Sequence, residues 1–175
     1  RAAFVDATGV PLGEEYSLAL AARVVLAEQP GPVVTNLSTS RIIDAVCVHA
    51  GVALYRTPVG EAHVVLGMRA RGAVVGGEGN GGVILPEAHY GRDGLVAAAL
   101  VCQALVAGNA PLRALADGLP KLCMVKDKLP QADEPWDVSV PRLRAVFPDH
   151  AADAADGLRL TLDEEWVHIR PSGTE

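Results

Sequence analysis

The sequence predicts an α/β fold in which helices sandwich a mixed, mostly parallel sheet, followed by a small α+β domain. Short valine-rich runs alternate with longer segments of helical periodicity over most of the chain. The connections between them are short, so right-handed crossovers are expected to join neighbouring strands. The end of the chain instead carries two short apolar runs in succession, which are typical of a β-hairpin.

The larger, first part of the chain contains the alternating segments. We expect strands at 2–7, 32–37, 52–56 and 73–77, and helices at 13–28, 38–50, 61–71 and 93–107. Glu15 favours the first turn of the first helix, Gly51 ends the second, and Asp93 suits the N-terminus of the fourth. Ligands of such sheets bind beyond the carboxyl ends of the strands. Residues 38–40 and 78–82 lie at that edge, which predicts a binding site there.

The remainder of the chain predicts a smaller domain. A helical turn region at 108–120 marks the boundary. Beyond it we expect a strand at 122–128, a helix at 138–146, a solvated loop at 149–156 and hairpin strands at 158–162 and 165–169.

Charge and composition exclude several classes of protein. The net charge of −6 comes with no basic stripe that could neutralise a nucleic-acid backbone. Charges interrupt the apolar runs well short of the roughly 20 residues that span a membrane. Cys47, Cys102 and Cys123 are widely spaced, which predicts buried, reduced thiols in a cytoplasmic protein. We therefore expect neither nucleic acid nor a membrane as a partner, and the histidines lack metal-ligand spacing.

The last residues form a cluster of groups that can bind an anion. Arg170 can grip a phosphate bidentately. Ser172 and Thr174 add hydroxyl donors, and Gly173 adds an exposed backbone N–H. Pro171 fixes its own backbone, so that these donors can converge on one phosphate. An ordinary polar turn is the alternative interpretation.

A glycine-rich loop at 76–82 separates two strand-like runs. It contains the spacing GxGxxG of dinucleotide-binding proteins, but that motif needs a helix directly after the glycines, and here a β-branched run with a proline follows. We therefore reject a nucleotide-binding oxidoreductase. The loop is expected to hold Glu78 and Asn80 clear of the surface, and a carboxylate beside an amide suits the vicinal hydroxyls of a sugar. A hairpin turn with solvated polar residues is the alternative.

Together these segments resemble the α-D-phosphohexomutases. The stretch GGEGNGGVILPEAHYGRDG, residues 76–94, is similar to the sugar-specificity segment of that family, and RPSGTE, residues 170–175, is similar to its distal phosphate-binding loop. RAAFVD at 1–6, followed by Gly9, resembles the segment that follows the family's metal-binding Asp-x-Asp-x-Asp-Arg loop, with Arg1 as its final arginine. The resemblance covers essentially the whole chain in the family's order.

The resemblance implies three regions. These are the tail of a metal-binding domain 2 at 1–12, an α/β sugar-binding domain 3 at 13–118, and a partial α+β phosphate-binding domain 4 at 119–175. The family's phosphoserine segment has no counterpart here, and its magnesium aspartates would lie just before Arg1. The chain is therefore expected to be a C-terminal fragment without a catalytic residue or metal ligand of its own, and inactive alone.

The resemblance also implies a reaction. Phosphate would move reversibly between O1 and O6 of a hexose through a phosphoserine and a bisphosphorylated sugar intermediate. Glu78 and Asn80 would hold the O3 and O4 hydroxyls. The phosphate that is not reacting would be clamped by Arg170, Ser172, Gly173 and Thr174. Mg²⁺ and a hexose 1,6-bisphosphate activator would be the cofactors, and a phosphorylated hexose and the missing N-terminal domains would be the partners.

Some assignments stay open in the sequence. Arg1 would neutralise charge near the metal loop, whereas Arg41 and Arg56 stand near positions where some members carry other basic residues, and surface ion pairs are the alternative for both. Glucose, mannose and glucosamine phosphates are not separated by the sugar segment. A non-catalytic phosphosugar-binding module is the alternative function.

Overall fold

The computed structural model describes residues 1–130, 134–163 and 165–171. Contacts within the chain define two compact units, Arg1–Met124 and Val125–Glu175. The predicted fold class is confirmed. The first unit is a mixed, mostly parallel sheet flanked by helices, and the second contains a small antiparallel sheet.

The first unit follows the predicted alternation of helices and strands. In chain order its elements are α1 (Glu15–Glu28), β1 (Val33–Asn36), α2 (Ile42–Ala50), β2 (Leu54–Thr57), α3 (Glu61–Arg71), β3 (Val75–Glu78), β4 (Gly82–Ile84), α4 (Gly94–Gly108) and α5 (Leu112–Asp117). The observed bounds from α1 to α4 agree with the predicted ones to within two residues, except at the start of α2. That helix begins later because residues 38–40 form a turn, in which the Ser38 backbone N donates to Asn36 Oδ1 at 3.0 Å.

The strand order of the first sheet is β2-β1-β3-β4. β1 pairs in parallel with β2 and β3, and β4 pairs antiparallel with β3. Successive residues of a strand face opposite sides, so Val33 lies in the core with α1, α2 and α4, whereas Val34 packs with Val64 and Met68 of α3. Because both faces of the sheet are covered, all four residues of β1 and all four of β3 are buried. The carboxyl ends of β1, β2 and β3 share one edge.

The second unit combines one helix with three antiparallel strands among its described residues. Its elements are α6 (Trp136–Val146), β5 (Ala151–Asp153), β6 (Leu158–Leu162) and β7 (Glu165–Ile169), with strand order β5-β6-β7. Leu158 and Leu160 of the central strand are buried. The predicted hairpin is confirmed at the same bounds, and α6 starts two residues before its predicted start at 138.

The predicted strand at 2–7 is wrong. Asp6 accepts hydrogen bonds through Oδ1 from the backbone N of Thr8 and of Val10, which folds this segment into a turn. Arg113 of α5 then donates through Nε to Asp6 Oδ2 at 2.8 Å. Across this turn Val5 forms a single antiparallel bridge to Pro11, and among the described residues the pairing extends no further into a strand.

Two predictions near the second unit are also wrong. Residues 122–128 have no regular secondary structure, and Val125 is 81% exposed, so the apolar run at the start of this segment joins neither of the two sheets. Residues 149–156 are not simply a loop, because they contain β5, which pairs with β6. Alanine and aspartate have low strand propensity, and the pairing with β6 overrides it.

The cysteine prediction holds in part. Cys47 is buried in the core, whereas Cys102 and Cys123 are exposed, and all three are free thiols. Burial raises the pKa of the Cys47 thiol to about 11. Over the three described ranges, none of the helices has the length and apolar character needed to cross a bilayer.

Gly77→Ala should destabilise the fold strongly. A Cβ at this position of β3 would collide with the backbone carbonyl oxygen of Gly82 on β4, which cannot move without breaking the hairpin. We expect a loss of roughly 3 kcal/mol in the free energy of unfolding, measured by urea denaturation. The control is Gly51→Ala, where the backbone is left-handed but a Cβ meets open space, so about 1 kcal/mol should be lost. Equal losses in the two variants would contradict this account.

Candidate functional site

Polar side chains converge at the edge where the parallel strands end. Asn36 closes β1, Thr57 closes β2 and Glu78 closes β3. Parallel strands that run side by side place their carboxyl ends at one edge of the sheet, which is where α/β proteins bind their ligands. The structure thus brings together side chains from three strands at the edge that the sequence indicated.

The Glu78 carboxylate is the centre of this cluster. Its side chain is only 3% exposed. Oε1 accepts hydrogen bonds from Asn36 Nδ2 at 2.7 Å and from the Gly60 backbone N at 3.2 Å. Oε2 accepts from Arg92 Nη1 at 2.7 Å and from Asn80 Nδ2 at 3.3 Å. The expectation that Glu78 stands clear of the surface is therefore wrong, because its charge is compensated inside the protein by these donors.

Arg92 links Glu78 to the start of α3. Glu61, the first residue of that helix, accepts a hydrogen bond from the Arg92 backbone N at 2.9 Å and another from Arg92 Nε at 2.8 Å. The backbone N–H of Arg92, followed by its side chain, lowers the pKa of Glu61 below its ordinary value. One guanidinium thus bridges two carboxylates that belong to different elements of the fold.

A buried group of hydroxyls fixes the Asn36 carboxamide. Asn36 Oδ1 accepts from Thr39 Oγ1 at 2.9 Å. Thr39 Oγ1 in turn lies 2.7 Å from Thr35 Oγ1 and accepts from the Gly79 backbone N at 3.0 Å. With its oxygen engaged in this way, Asn36 must present its amide nitrogen to Glu78. This group also ties the end of β1 to the glycine loop.

The glycine loop is a tight hairpin and is packed in place. Residues 79–81 connect the antiparallel strands β3 and β4, so the strand expected after the glycines is confirmed, and it stands where a dinucleotide-binding motif needs a helix. A Cβ at Gly79 would collide with the Glu15 carboxylate at the start of α1. Glu15 Oε2 also accepts from the Ser40 backbone N at 2.9 Å. Contacts with α1 and with the turn after β1 therefore hold the loop in place.

Arg56 holds the turn that follows β1. Its Nη1 donates to the carbonyl oxygens of Asn36 at 3.0 Å and Thr39 at 2.8 Å, while Nη2 donates to Asp44 Oδ2 at 2.6 Å. The ion-pair interpretation of Arg56 is thus confirmed, and the guanidinium also shapes the edge of the site. Arg41 lies in the same stretch and is exposed.

The main chain at Arg1 and Ala2 lies next to the glycine loop. Its own side chain is exposed, and the backbone N of the following residue, Ala2, donates to the Gly81 carbonyl oxygen at 2.8 Å. A Cβ at Gly94 would crowd the Arg1 carbonyl oxygen. The first residues of the chain therefore pack against the loop that follows Glu78.

Arg170 is the described member of the phosphate-binding prediction. It follows β7 in the second unit, is exposed, and donates through Nη1 to the Pro171 carbonyl oxygen at 3.2 Å. Ser172, Gly173 and Thr174 lie outside the described residues. The anion-binding role of this segment therefore stays a prediction.

Sequence reasoning missed four contributors to the cluster. These are Asn36, Gly60, Glu61 and Arg92. Arg92 lies in GRDG, the end of the segment that is similar to the family's sugar-specificity segment, and this position alone marked it as a candidate. The partners of a buried carboxylate are otherwise set by tertiary contacts. Within the described ranges, no group of three or more His, Cys, Asp or Glu side chains could hold a metal ion.

The family of the chain follows from comparison with known proteins. Residues 13–123 match the family described as "Phosphoglucomutase/phosphomannomutase, alpha/beta/alpha domain III". This match covers more than half of the chain and all of the cluster around Glu78. The chain belongs to the phosphoglucomutase/phosphomannomutase family.

Individual relatives agree with this membership. A protein named "probable phosphoglucosamine mutase" from Methanopyrus kandleri is 37% identical, and a phosphoglucomutase/phosphomannomutase from Thermococcus kodakarensis is 33% identical. Each match covers 100% of this chain and 39% of the relative, so the chain spans about two fifths of the length of these proteins. An X-ray structure of a phosphoglucomutase/phosphomannomutase family protein from Burkholderia thailandensis shares the fold, with a TM-score of 0.76 at 24% identity, over 99% of this chain and 38% of that one.

Glu61→Gln should lower the melting temperature in a pH-dependent way. The folded-state pKa of Glu61 is depressed, so its ionised form stabilises the fold above its ordinary pKa of 4.5, and that contribution is lost as pH falls through the folded value. At pH 7 we expect the variant to melt about 2–4 °C below wild type, and the gap should narrow below pH 4.5. The exposed Glu87→Gln variant is the control. A gap that stays constant with pH would count against the Arg92 contacts as its cause.

Proposed function

We propose that this chain is the sugar- and phosphate-binding part of a phosphohexomutase that interconverts hexose 1-phosphate and hexose 6-phosphate. The reaction would pass through a phosphoserine and a bisphosphorylated sugar intermediate. Family membership supports the class of enzyme. The observation that carries the site assignment is the buried Glu78 carboxylate beside the Asn80 amide, at the ligand-binding edge of the sheet.

Glu78 and Asn80 would bind two neighbouring sugar hydroxyls, O3 and O4. All four hydrogen bonds of the Glu78 carboxylate come from within the protein, and the bond from Asn80 Nδ2 is the longest at 3.3 Å. Asn80 Oδ1 is buried and accepts no hydrogen bond from the described residues. A sugar could therefore replace this one contact, with one hydroxyl donating to Glu78 Oε2 and its neighbour meeting the Asn80 amide.

Arg170 and its neighbours would bind the phosphate that is not reacting. The guanidinium is exposed and its recorded bond is to the adjacent carbonyl oxygen of Pro171, so it can turn to a ligand without unfolding β7. Ser172, Gly173 and Thr174 would add hydroxyl and backbone donors. Remote binding of this kind orients the substrate for a reaction elsewhere on it.

The chemistry itself would need groups beyond these residues. The described residues hold no cluster of metal ligands, so we assign no Mg²⁺ ligand to them. Mg²⁺, the phosphoserine and the N-terminal domains would belong to the complete protein, Arg1 would lie next to the metal loop, and a hexose 1,6-bisphosphate would act as activator. On this proposal the domains are 1–12, 13–118 and 119–175, and the enzyme acts in the cytoplasm.

We propose that the hexose is glucose, mannose or glucosamine. Relatives carry the names phosphoglucosamine mutase and phosphoglucomutase/phosphomannomutase. A mutase assay on the complete protein with Mg²⁺ and a bisphosphate activator, using glucose, mannose and glucosamine 1-phosphates, will rank them.

The same assay separates the enzyme from a binding module. Turnover of any of the three sugars by the complete protein supports the mutase, whereas binding without turnover supports a non-catalytic phosphosugar-binding protein. The 175-residue chain alone should show no turnover. Activity of that chain would contradict a mechanism that depends on an upstream phosphoserine.

Glu78→Gln should abolish most of the activity of the complete protein. The change keeps the shape of the side chain but removes the negative charge of the group that would accept a hydrogen bond from the sugar hydroxyl. A hydrogen bond to a charged group contributes about 1.5–3 kcal/mol. We expect kcat/KM to fall by about 10–100-fold. The exposed Glu87→Gln variant is the matched control. Wild-type kinetics in Glu78→Gln would refute the assignment of this residue to sugar binding.

Arg170→Ala should mainly weaken substrate binding. The loss of charge-assisted bonds to a phosphate that is present in both ground and transition states raises KM, by about tenfold, with a smaller effect on kcat. Steady-state kinetics of the complete protein provide the measurement. Arg144→Ala, which removes an exposed arginine from α6, should leave both constants unchanged. An unchanged KM in Arg170→Ala would remove Arg170 from the phosphate site.

A further inference from the structure

We propose that Arg92, anchored by Glu61, is a positioning residue that aims the Glu78 carboxylate at the sugar hydroxyls. This inference rests on the proposed function of Glu78. It assigns to the pair formed by Arg92 and Glu61 a role in recognising the sugar, through a contact with Glu78 and not through contact with the ligand.

The first argument is geometric. Arg92 donates through Nη1 to Glu78 Oε2 at 2.7 Å, and through Nε to Glu61 Oε2 at 2.8 Å. Its backbone N donates to the second oxygen of Glu61, Oε1, at 2.9 Å. Main chain and side chain of Arg92 are thus held by one carboxylate. The planar guanidinium has little freedom left to rotate, so the direction of its bond to Glu78 is fixed.

The second argument concerns which oxygen of Glu78 each partner holds. Asn36 and Gly60 donate to Oε1, and both donors are neutral. Oε2, the oxygen that would receive the sugar, is held by Arg92 and by the longer bond from Asn80. Arg92 is therefore the strong and charged contact on the oxygen that faces the ligand.

The third argument is electrostatic. A carboxylate whose side chain is 3% exposed is costly to leave without a cationic partner, so loss of Arg92 would favour a side-chain orientation that turns towards water. That reorientation would spoil a group that must accept a hydrogen bond from a sugar hydroxyl in a fixed direction. Lysine could not replace Arg92, because a single ammonium cannot reproduce the fork that bridges two carboxylates.

The test compares how well the protein senses individual sugar hydroxyls. The complete protein is assayed with its best hexose 1-phosphate and with the 3-deoxy and 4-deoxy analogues, for wild type, Arg92→Gln, Arg92→Lys and Glu61→Gln. In wild type, removal of the hydroxyl that donates a hydrogen bond to Glu78 should lower kcat/KM by about 10–100-fold. The quantity compared is the ratio of kcat/KM for the parent sugar to kcat/KM for the deoxy analogue. In Arg92→Gln this ratio should fall to about threefold or less, and in Arg92→Lys it should stay well below the wild-type value. Glu61→Gln, which keeps the Arg92 charge but weakens its anchor, should give an intermediate ratio.

A merely structural residue would behave differently. It would lower kcat/KM equally for the parent sugar and the deoxy analogues, so the ratio would stay at the wild-type value. Arg69→Gln is the control. Within the described residues this arginine lies over the Tyr90 ring, 4.6 Å from its centroid, whereas the ion pair of Glu78 is with Arg92. Its ratio should match wild type.

The outcomes separate the two proposals. If wild type turns over no hexose phosphate, or ignores the loss of both hydroxyls, the proposed function of Glu78 fails. If wild type discriminates and Arg92→Gln discriminates equally well, the positioning role of Arg92 is overturned. If Arg92→Gln does not fold, Glu61→Gln decides, because a wild-type ratio in that variant also overturns the role.

Discussion

The ion pair between Glu78 and Arg92 is the contact on which the candidate site depends. Breaking a buried pair by removing one partner costs about 3–5 kcal/mol, because the remaining charge is left in a poor solvent. Here the pair joins β3 to the segment that precedes α4, and Glu61 extends it to the start of α3. Three elements that are distant along the chain are thereby held in one arrangement at the edge of the sheet.

The rest of the edge is organised around that pair. Asn36 offers its amide to Glu78 because Thr39 occupies its oxygen, and Arg56 fixes the turn that carries Thr39. Such a chain of satisfied polar groups gives a site its precision, since each side chain has one low-energy orientation. On the proposed function, a sugar would meet a preformed surface in which it replaces the hydrogen bond from Asn80 to Glu78.

The glycine loop shows how similar spacings can serve different chemistry. In a dinucleotide site the glycines lead into a helix whose amides bind a diphosphate. Here they form a hairpin between β3 and β4, and a side chain at Gly79 would collide with the Glu15 carboxylate. The glycines allow close packing around a carboxylate instead of exposing backbone amides to a phosphate.

Local patterns in the sequence were enough to predict the α/β class, the helices and strands between α1 and α4, the hairpin of the second unit, and polar side chains at the carboxyl ends of the strands. These features depend on local periodicity, on glycine and aspartate at helix ends, and on short connections. Each of these can be recognised from residues that are close together in the sequence. Tertiary structure alone decided that Glu78 is buried, that Arg92 and Glu61 hold it, that 122–128 form no strand and that β5 does. The reason is physical, because strand pairing and charge compensation join distant residues, as with Asn36 and Glu78, which are 42 positions apart. No local pattern of the sequence encodes such a partner.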